Sequence, residues 1–450
     1  MRATGSGPVR LLIGSFLVLI LAGTILLKLP WATPADKPIG WIDALFTATS
    51  ATCVTGLAVR DTGTAFTVFG QLVILGLIQA GGLGLLTFSI FILALFRGRV
   101  SLAQRSIFEQ TLAARAGGRL WPILRLVFLF TFATEALGAL LLFLRWLPEM
   151  GAGRAAYYGI FHSISAFCNA GFGLRSDNLT AWRGDAPVVL TVSALIVLGG
   201  LGFFTVYEIV ESRKAHVQLS VHSKLALTVS GVLIVLGTVV IWILEAGNSF
   251  AGMTFGEQAL AALFQSVTTR TAGFNTVDLS LLSPGSLFFM TLLMFVGGSP
   301  GSAAGGIKTT TLGVLVATMY SRLLGRSHVN VFRRTLEPVT VRNALTIALG
   351  GILGAILALF ALILLQSSPA GTVQQERSLF FDYLFETVSA LATVGLSTGI
   401  TPDLTPASRL LVSLLMFLGR LGPLTLASAL ATDRTQLTDW QYAEEEVMVG

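Results

Sequence analysis

Charged residues are scarce in this 450-residue chain, at 12% of the total, about half the share of an ordinary soluble domain. Cysteine occurs twice and histidine four times, without the spacing of metal ligands, so neither a disulfide framework nor a metal centre is indicated. No nucleophile–base pair or paired carboxylates stand out, and we do not expect an enzyme. No stretch between the apolar segments is long enough to form a separate soluble domain.

Long apolar segments occupy most of the chain instead. Hydrophobic residues make up 54% of it, and glycine adds 48 residues. A helix needs about 20 apolar residues to cross a membrane. The sequence therefore predicts an all-α integral membrane protein with eight transmembrane helices, near residues 11–27, 66–96, 120–147, 186–207, 225–244, 285–320, 344–365 and 408–430.

The basic residues predict the orientation. If the amino terminus is cytoplasmic, the inner loops, the two termini and Arg125 carry 17 of the 29 lysine and arginine residues. We therefore expect a multi-pass protein of the cell's inner (plasma) membrane with both termini in the cytoplasm. The net charge of +6 follows from this bias and from contact with membrane lipids, so it does not require a nucleic acid as a partner.

Four short, half-apolar segments follow the odd-numbered spans. Each runs from a phenylalanine to a glycine, and the two are separated by 10, 10, 9 and 10 residues in turn. A Gly-rich motif then follows each glycine after 26, 29, 25 and 25 residues. Such self-similarity indicates one unit copied four times, a span, a re-entrant segment and a second span. The predicted repeats are 1–97, 98–212, 213–325 with a broken inner helix at 297–306, and 326–450, which includes the carboxyl-terminal tail.

The end of each re-entrant segment has the features of a cation-binding turn. The carbonyl end of a short helix favours a cation, and a glycine with positive φ lets carbonyl oxygens turn inward. One such segment alone would be an ordinary interfacial loop, but four in register favour a pseudo-fourfold pore in which carbonyl oxygens bind K⁺. The predicted filter residues are Thr52, Cys53, Val54, Thr55 and Gly56; Cys168, Asn169, Ala170 and Gly171; Thr271, Ala272 and Gly273; and Thr393, Val394 and Gly395.

The third inner span is interrupted by small residues. Residues 297–306 contain five glycines and a proline, and both residue types disfavour a helix. We interpret this segment as a mobile gate below the filter, and the alternative is a kinked helix that packs tightly through small residues. The predicted gate residues are Gly297, Gly298, Ser299, Pro300, Gly301, Gly305, Gly306, Lys308 and Arg420.

Arg420 stands where the first three repeats have Gly82, Gly200 and Gly298. An arginine deep in a membrane span is costly and usually faces a cavity or a partner. We expect it beneath the carbonyl ring, in contact with backbone carbonyls of the broken segment, where its charge raises the barrier to cations. The alternative is a structural arginine paired with a helix end or with a carboxylate such as Glu135.

Four acids lie near the starts of the re-entrant segments. Their charge suits the positive end of a helix dipole, and attraction of cations to an outer vestibule is a second role. These acids are Asp43, Glu257, Asp382 and Glu386.

The repeats resemble the Trk/Ktr/HKT superfamily of potassium transporters, and most of all the membrane subunit of the Ktr system. The resemblance covers essentially the whole chain. The matching runs are 49–57, 169–172, 268–275, 297–301, 392–396 and 447–450.

This resemblance implies potassium uptake through a channel-like pore that is driven by membrane potential and gated by the 297–306 loop. It also implies a homodimer on a cytosolic ring of nucleotide-binding, RCK-type (KtrA-like) regulatory subunits, and no organic cofactor. Sodium-conducting plant members have serine at the first filter glycine, so Gly56 argues for K⁺. Passage of Na⁺, or Na⁺ as an activator, stays open.

An ion-coupled secondary transporter, a sodium/potassium symporter, is the alternative function. Many such transporters have inverted repeats. Two spans in each repeat would instead place all four units of this chain in one orientation, which favours a channel-like pore.

Overall fold

The computed structural model describes residues 7–84, 120–215, 218–366 and 379–422, and these are mostly helical, with one short β-hairpin. The elements in chain order are α1 (Gly7–Lys28), α2 (Trp41–Thr52), α3 (Thr62–Ala65), α4 (Val68–Gly82), α5 (Leu120–Met150), α6 (Ala152–Phe167), α7 (Ala186–Gly200), α8 (Phe203–Ala215), α9 (Val221–Glu245), α10 (Phe255–Thr268), α11 (Pro284–Phe295), α12 (Thr309–Leu323), β1 (Asn330–Val331), β2 (Arg334–Thr335), α13 (Pro338–Gln366), α14 (Phe380–Leu391) and α15 (Pro406–Leu421).

The helices follow one order four times. An outer helix (α1, α5, α9, α13) is followed by a short re-entrant helix (α2, α6, α10, α14) and then by an inner helix (α4, α7, α11, α15). Each inner helix packs against the re-entrant helix of the next repeat, α4 on α6, α7 on α10 and α11 on α14. The last inner helix, α15, packs on α2, so the four repeats are arranged in a closed ring.

Each inner helix begins at a side-chain cap. The capping oxygen accepts a hydrogen bond from the backbone amide three residues later, which satisfies an amide that the helix itself leaves unbonded. Proline in the first turn of α7, α11 and α15 fixes the backbone there. The caps are Thr67 of α4, Asp185 of α7, Ser283 of α11 and Thr405 of α15.

The inner helices all stop at the Gly-rich motif. A break was predicted in the third span alone, and it is confirmed between Phe295 and Thr309. The expectation of one continuous helix over 186–207 is wrong, because α7 and α8 meet at 91°. Left-handed glycines follow α4, α7 and α15, at Gly84 (φ 78°), Gly202 (φ 85°) and Gly422 (φ 79°). A sharp break is tolerated where other groups bond the freed backbone.

The polarity of the fold is reversed relative to a soluble protein. Bulky apolar side chains cover the outside, such as Ile25 of α1, Ile243 of α9 and Phe360 of α13, all more than half exposed. Fully buried side chains near the centre are often polar, including Ser50 and Thr393. This is the distribution of a protein surrounded by lipid and organised around a polar interior.

Among the described residues, three helices are individually long and apolar enough to cross a membrane. They are Arg125–Met150 within α5, then α9 and α13, and the bent pair α7–α8 makes a fourth. The predicted spans 66–96 and 408–430 continue into 85–119 and 423–450, which lie outside the described residues. The eight crossings therefore stay a prediction.

Candidate ion pathway

Each re-entrant helix leads into a turn with two left-handed residues. A non-glycine residue takes positive φ two positions before each predicted filter glycine, and the glycine does so as well. This backbone is rare and strained for a β-branched residue. Three of the four are β-branched and the fourth is asparagine, so the recurrence at one position indicates a required shape. The angles are Val54 55° and Gly56 102°, Asn169 58° and Gly171 71°, Thr271 68° and Gly273 75°, and Thr393 51° and Gly395 91°.

The four turns meet at one place. Each predicted filter glycine lies against the backbone of a neighbouring turn. A Cβ atom added to the glycine would strike a carbonyl oxygen there, which belongs to the residue just before that turn's own glycine. The pairs are Gly56 with Ala170 at 2.6 Å, Gly171 with Ala272 at 2.9 Å, Gly273 with Val394 at 2.8 Å, and Gly395 with Thr55, where Cβ and oxygen would overlap. The contacts run from repeat 1 to 2, 3, 4 and back to 1. Four equivalent carbonyl oxygens therefore surround four glycines in a closed ring, which we call the carbonyl ring.

The chemistry around the ring suits a cation. The carbonyl ends of α2, α6, α10 and α14 lead directly into it, and the negative ends of these helix dipoles favour positive charge. Buried hydroxyls at the turns also lack a protein partner among the described residues: Thr52, Thr55, Thr271 and Thr393. Orphaned buried oxygens normally cost stability. They are explained where water or an ion occupies the space beside them.

A hydroxyl residue near the end of each re-entrant helix holds the turn, and the sequence analysis missed this set. The Oγ atoms of Ser50 and Ser389 accept hydrogen bonds from the filter glycine amides, both at 3.1 Å. The hydroxyls of Ser165 and Thr268 instead donate to the carbonyl after the glycine, at 2.8 and 2.6 Å. A Ser or Thr six residues before three of the glycines and five before the third was the available signal.

A second set follows the phenylalanine that begins each re-entrant segment, and only Glu386 of this set was noted from the sequence. These polar side chains are at most 1% exposed: Thr47, His162, Gln265 and Glu386. Nε2 of His162 accepts a hydrogen bond from the Leu174 amide at 3.5 Å, just beyond the second turn. Glu386 accepts one from the Thr401 hydroxyl at 2.5 Å, and Thr401 lines a cavity beside the carbonyl ring. The chemistry behind the four turns thus differs from repeat to repeat.

A cavity of about 240 Å³ opens on one side of the ring, and all four filter glycines line it. Arg175 lies at its edge with two hydrogen bonds to Asp177, at 2.8 and 3.0 Å. Hydrogen bonding to Arg175 lowers the pKa of the Asp177 carboxyl, which stays ionised and balances the arginine.

The acids at the helix starts have structural partners. Asp43 forms ion pairs with Arg60 at 3.2 Å and with Arg409 of the fourth repeat at 2.6 Å. Glu257 completes a capping box with Thr254, as expected for a cap. Because two arginines neutralise the Asp43 carboxylate, this residue contributes little charge for attracting cations to a vestibule.

The third turn has a buried arginine of its own. Arg270 occupies the position held by Cys53, Cys168 and Ala392 in the other turns, and it is 7% exposed. It donates a hydrogen bond to Ser230 Oγ of α9 at 2.9 Å, so its charge is directed away from the ring. Cys53 and Cys168 are both buried free thiols.

The segment between α11 and α12 is an ordered loop, which we call the intramembrane loop (residues 296–308). Its two ends bond to each other, Gly297 N to Ile307 O at 2.9 Å and Ile307 N to Phe295 O at 3.2 Å. Lys308 closes it further by donating to the Ala304 carbonyl at 2.7 Å. The side chain of Lys308 therefore bonds to the loop's own backbone, and its role as a gate residue stays a prediction.

The loop docks into the break between α7 and α8. The amide of Ser299 donates to Gly200 O at 2.9 Å, and that of Phe203 donates to Gly301 O at 3.0 Å. A Cβ on Gly202 would overlap the carbonyl of Pro300. The loop therefore satisfies the backbone groups that the 91° bend leaves free. The kinked-helix alternative is wrong, since residues 297–308 are not helical.

The loop also contacts the fourth turn. A Cβ on Gly305 would overlap the Thr393 hydroxyl and lie 2.7 Å from the Ala392 carbonyl. Gly298, Ala303 and Gly305 are all buried. The loop thus lies directly against the fourth turn, on the side where α12 begins.

Arg420 bonds to two backbone carbonyls from other repeats. Its guanidinium donates to Ala303 O of the intramembrane loop and to Gly81 O at the end of α4. The predicted contact with carbonyls of the broken segment is confirmed. The alternative of a structural arginine is met in its helix-end form, because Gly81 O lies in the last turn of α4. Pairing with Glu135 is not seen, since that carboxylate accepts from Gln79 Nε2 at 3.1 Å and lies 3.9 Å from the Cys168 thiol.

Comparisons with known proteins find similarity to cation transport proteins. The model of the TrkH family, described as a cation transport protein, matches residues 10–438. The Ktr system potassium uptake protein B of Bacillus subtilis is 39% identical over 445 residues, 98% of this chain and 96% of that protein. The potassium/sodium uptake protein NtpJ of Enterococcus hirae is 35% identical over 446 residues, 98% of this chain and 97% of that protein. The crystal structure of the potassium transporter TrkH from Vibrio parahaemolyticus aligns with a TM-score of 0.72 at 19% identity, covering 95% of this chain and 85% of that one.

Proposed function

This chain belongs to the TrkH family of cation transport proteins, and we propose that it takes up potassium ions through a single central pore. The observation that carries the proposal is the carbonyl ring, because four backbone oxygens around one axis can replace the hydration shell of K⁺. The printed names of two full-length relatives, potassium uptake and potassium/sodium uptake proteins, support the same ion.

The pore is proposed to be pseudo-fourfold, with eight crossings in the repeats 1–97, 98–212, 213–325 and 326–450. The ring order of the helix contacts supports this arrangement. In the proposed filter, the carbonyls of Thr55, Ala170, Ala272 and Val394 bind the ion, together with the rest of the four predicted turns. The driving force is the membrane potential, about 2.3 kcal/mol for each charge and 100 mV.

We propose that the intramembrane loop is the gate and that Arg420 holds it in place. The loop is held by neutral backbone hydrogen bonds, by the Lys308 ammonium within it and by the Arg420 guanidinium from outside it. A shift of α7–α8 or of α15 would therefore release it. A positive charge beside the pathway also raises the energy of a passing cation.

The wider assembly is proposed by analogy with the Ktr relatives. The word "system" in their names supports a partner subunit, and we propose a homodimer in the plasma membrane on a cytosolic RCK-type ring. The name of the Enterococcus protein supports a role for sodium, as an activator or as a co-transported ion.

Uptake into liposomes containing the purified chain tests the function. At an imposed inside-negative potential we expect K⁺ and Rb⁺ to enter and Na⁺ and Li⁺ to enter poorly, with liposomes lacking protein as the control. A K⁺ influx that requires an inward Na⁺ gradient at zero potential would replace the pore with a symporter. Absence of any cation flux from monodisperse protein would contradict both.

A further inference from the structure

A second cavity, of about 710 Å³, lies away from the pore. It is lined by the first turns of α9, α12 and α13 and by the β1–β2 hairpin. Leu225, Val314 and Ala344 form its apolar floor and belong to one buried cluster. In the proposed orientation this cavity faces the cytoplasmic side, where the loops before α9 and α13 lie.

Two basic side chains at the cavity have no acidic partner. Lys224 and Arg334 both line it, and neither forms an ion pair within the described part of the chain. Glu337 is the acid in the lining. With Glu337 counted, the lining carries one positive charge in excess, and neither basic side chain is neutralised by a direct ion pair. Glu208 lies nearby, where it accepts a hydrogen bond from Ser220 of the lining at 2.8 Å.

Free hydroxyls accompany the charge. Thr310, Thr311 and Thr340 line the same cavity, and their hydroxyls form no hydrogen bond within the described residues. Guanidinium, ammonium and hydroxyl donors around one space are the groups that bind phosphate oxygens. Three helices also begin here, and their positive dipole ends add to the same preference.

The cavity is joined to the intramembrane loop by the start of α12. The amide of Thr309 donates to Gly298 O at 3.1 Å, and the hydroxyls of Thr309 and Ser299 lie 3.1 Å apart. The next two residues, Thr310 and Thr311, face the cavity. A ligand bound there would fix the helix turn to which the loop is attached.

We propose that this cavity binds a phosphate group, and that its occupancy alters the opening of the intramembrane loop. The phosphate is that of an anionic phospholipid in the inner leaflet or of a soluble phosphate ester. The apolar floor accommodates the first carbons of a lipid, and the basic rim binds the phosphate. The binding site stands on its own residues, whereas its effect on opening rests on the proposed pore function.

The binding test uses the purified full-length chain in a neutral detergent. Titration with short-chain phosphatidylglycerol, and separately with ATP, is followed by calorimetry. We expect at least one of them to bind, and Lys224→Gln with Arg334→Gln to weaken it by about tenfold. Arg333→Gln is the matched control, since Arg333 is exposed, lies next to Arg334 in the hairpin turn and does not line the cavity.

Binding of phosphatidylglycerol alone identifies the lipid, and binding of ATP alone identifies the soluble ester. Absence of binding by both probes, or an equal loss in the Arg333→Gln control, would overturn the site. Each variant is first shown to be monodisperse, and Lys224→Arg should retain binding if charge is what matters.

The effect on opening is measured as Rb⁺ uptake into phosphatidylcholine liposomes with and without phosphatidylglycerol, and with and without enclosed ATP. We expect the ligand that binds to change uptake by the parent and by Arg333→Gln, but not by the double variant. Equal uptake under all conditions would overturn the link to the loop. No uptake under any condition would instead contradict the pore function and leave the binding result intact.

Discussion

The guanidinium of Arg420 donates a hydrogen bond to the carbonyl oxygen of Ala303, a residue 117 positions earlier in the chain. The same side chain bonds Gly81 O, so one arginine joins the inner helix of the fourth repeat to the intramembrane loop and to α4. Charged donors to backbone carbonyls contribute about 1.5–3 kcal/mol each. Arg420 thus bonds the loop to the rest of the protein through a charged donor, whereas Lys308 bonds within the loop.

Replacing Arg420 should therefore release the loop. We expect Arg420→Gln to conduct K⁺ at least about threefold faster than the parent, because both the fastening and the repulsive charge are lost. Selectivity should be largely retained, since Arg420 does not contact the carbonyl ring. Rb⁺ uptake by proteoliposomes measures the rate, with the exposed Arg326→Gln at the end of α12 as control. A monodisperse Arg420 variant with unchanged or slower uptake would show that the arginine is structural.

A side chain at the first filter glycine should disturb selection. Gly56 has a φ of 102°, and a Cβ there would lie 2.6 Å from the Ala170 carbonyl. We expect Gly56→Ser to lower the K⁺/Na⁺ uptake ratio about tenfold, which corresponds to about 1.4 kcal/mol of relative ion affinity. Gly76→Ser is the matched control, because nothing lies within 4 Å of a Cβ on that α4 glycine. If the Gly56 variant keeps the parent's K⁺/Na⁺ ratio, Gly56 is not part of the filter.

Shortening the intramembrane loop should raise the flux. Deletion of residues 302–304 removes both the Arg420 acceptor and the bond from Ala303 N to Gly199 O. Ser302→Ala is the control, since it removes only the side-chain bond to Ser299 O. We expect faster Rb⁺ uptake by the deletion variant and no change in the control. A folded deletion variant with the parent's uptake would mean that the loop does not obstruct the pore.

The hydroxyl that holds the fourth turn should matter for selection more than for folding. Ser389 Oγ accepts a hydrogen bond from the Gly395 amide. Loss of this bond removes about 1 kcal/mol of the free energy that holds the turn in place. We expect Ser389→Ala to lower the K⁺/Na⁺ ratio about fivefold, and Ser389→Thr to restore most of it. Ser413→Ala, which removes a bond within α15, should leave the ratio unchanged. An equal fall in both alanine variants would indicate general destabilisation.

The repeat spacing was sufficient to locate the four turns, because each is a local structure. A helix end followed by a glycine at a constant offset needs no distant residue to be recognised. The loop at 297–306 was predictable for the same reason, since glycine and proline oppose a helix wherever they stand. The hydroxyls of Ser50 and Ser389 were visible at the same constant offset and were overlooked.

The bend at Gly200–Gly202 illustrates what the motif alone cannot show. The first repeat has the same Gly-Gly-Leu-Gly run, and α4 also stops there, at Gly82. The motif therefore marks the end of a helix but not the partner that stabilises the break. The bend is stabilised by Ser299 and Gly301, about 100 residues later, whose backbone groups pair with those that the bend frees. Asp43 is similar, because Arg409 lies 366 residues away and is brought to it only by the closure of the ring.

By itself, the sequence determined the apolar character of the chain, the fourfold copying of one unit and the position of each turn, since these depend on composition and spacing over a few residues. Only the tertiary structure decided which carbonyl faces which glycine, what fastens the intramembrane loop and which buried charges are paired. Those contacts join residues far apart in the chain. Which residues become partners depends on the order in which the repeats close around the axis. No local sequence pattern shows that order.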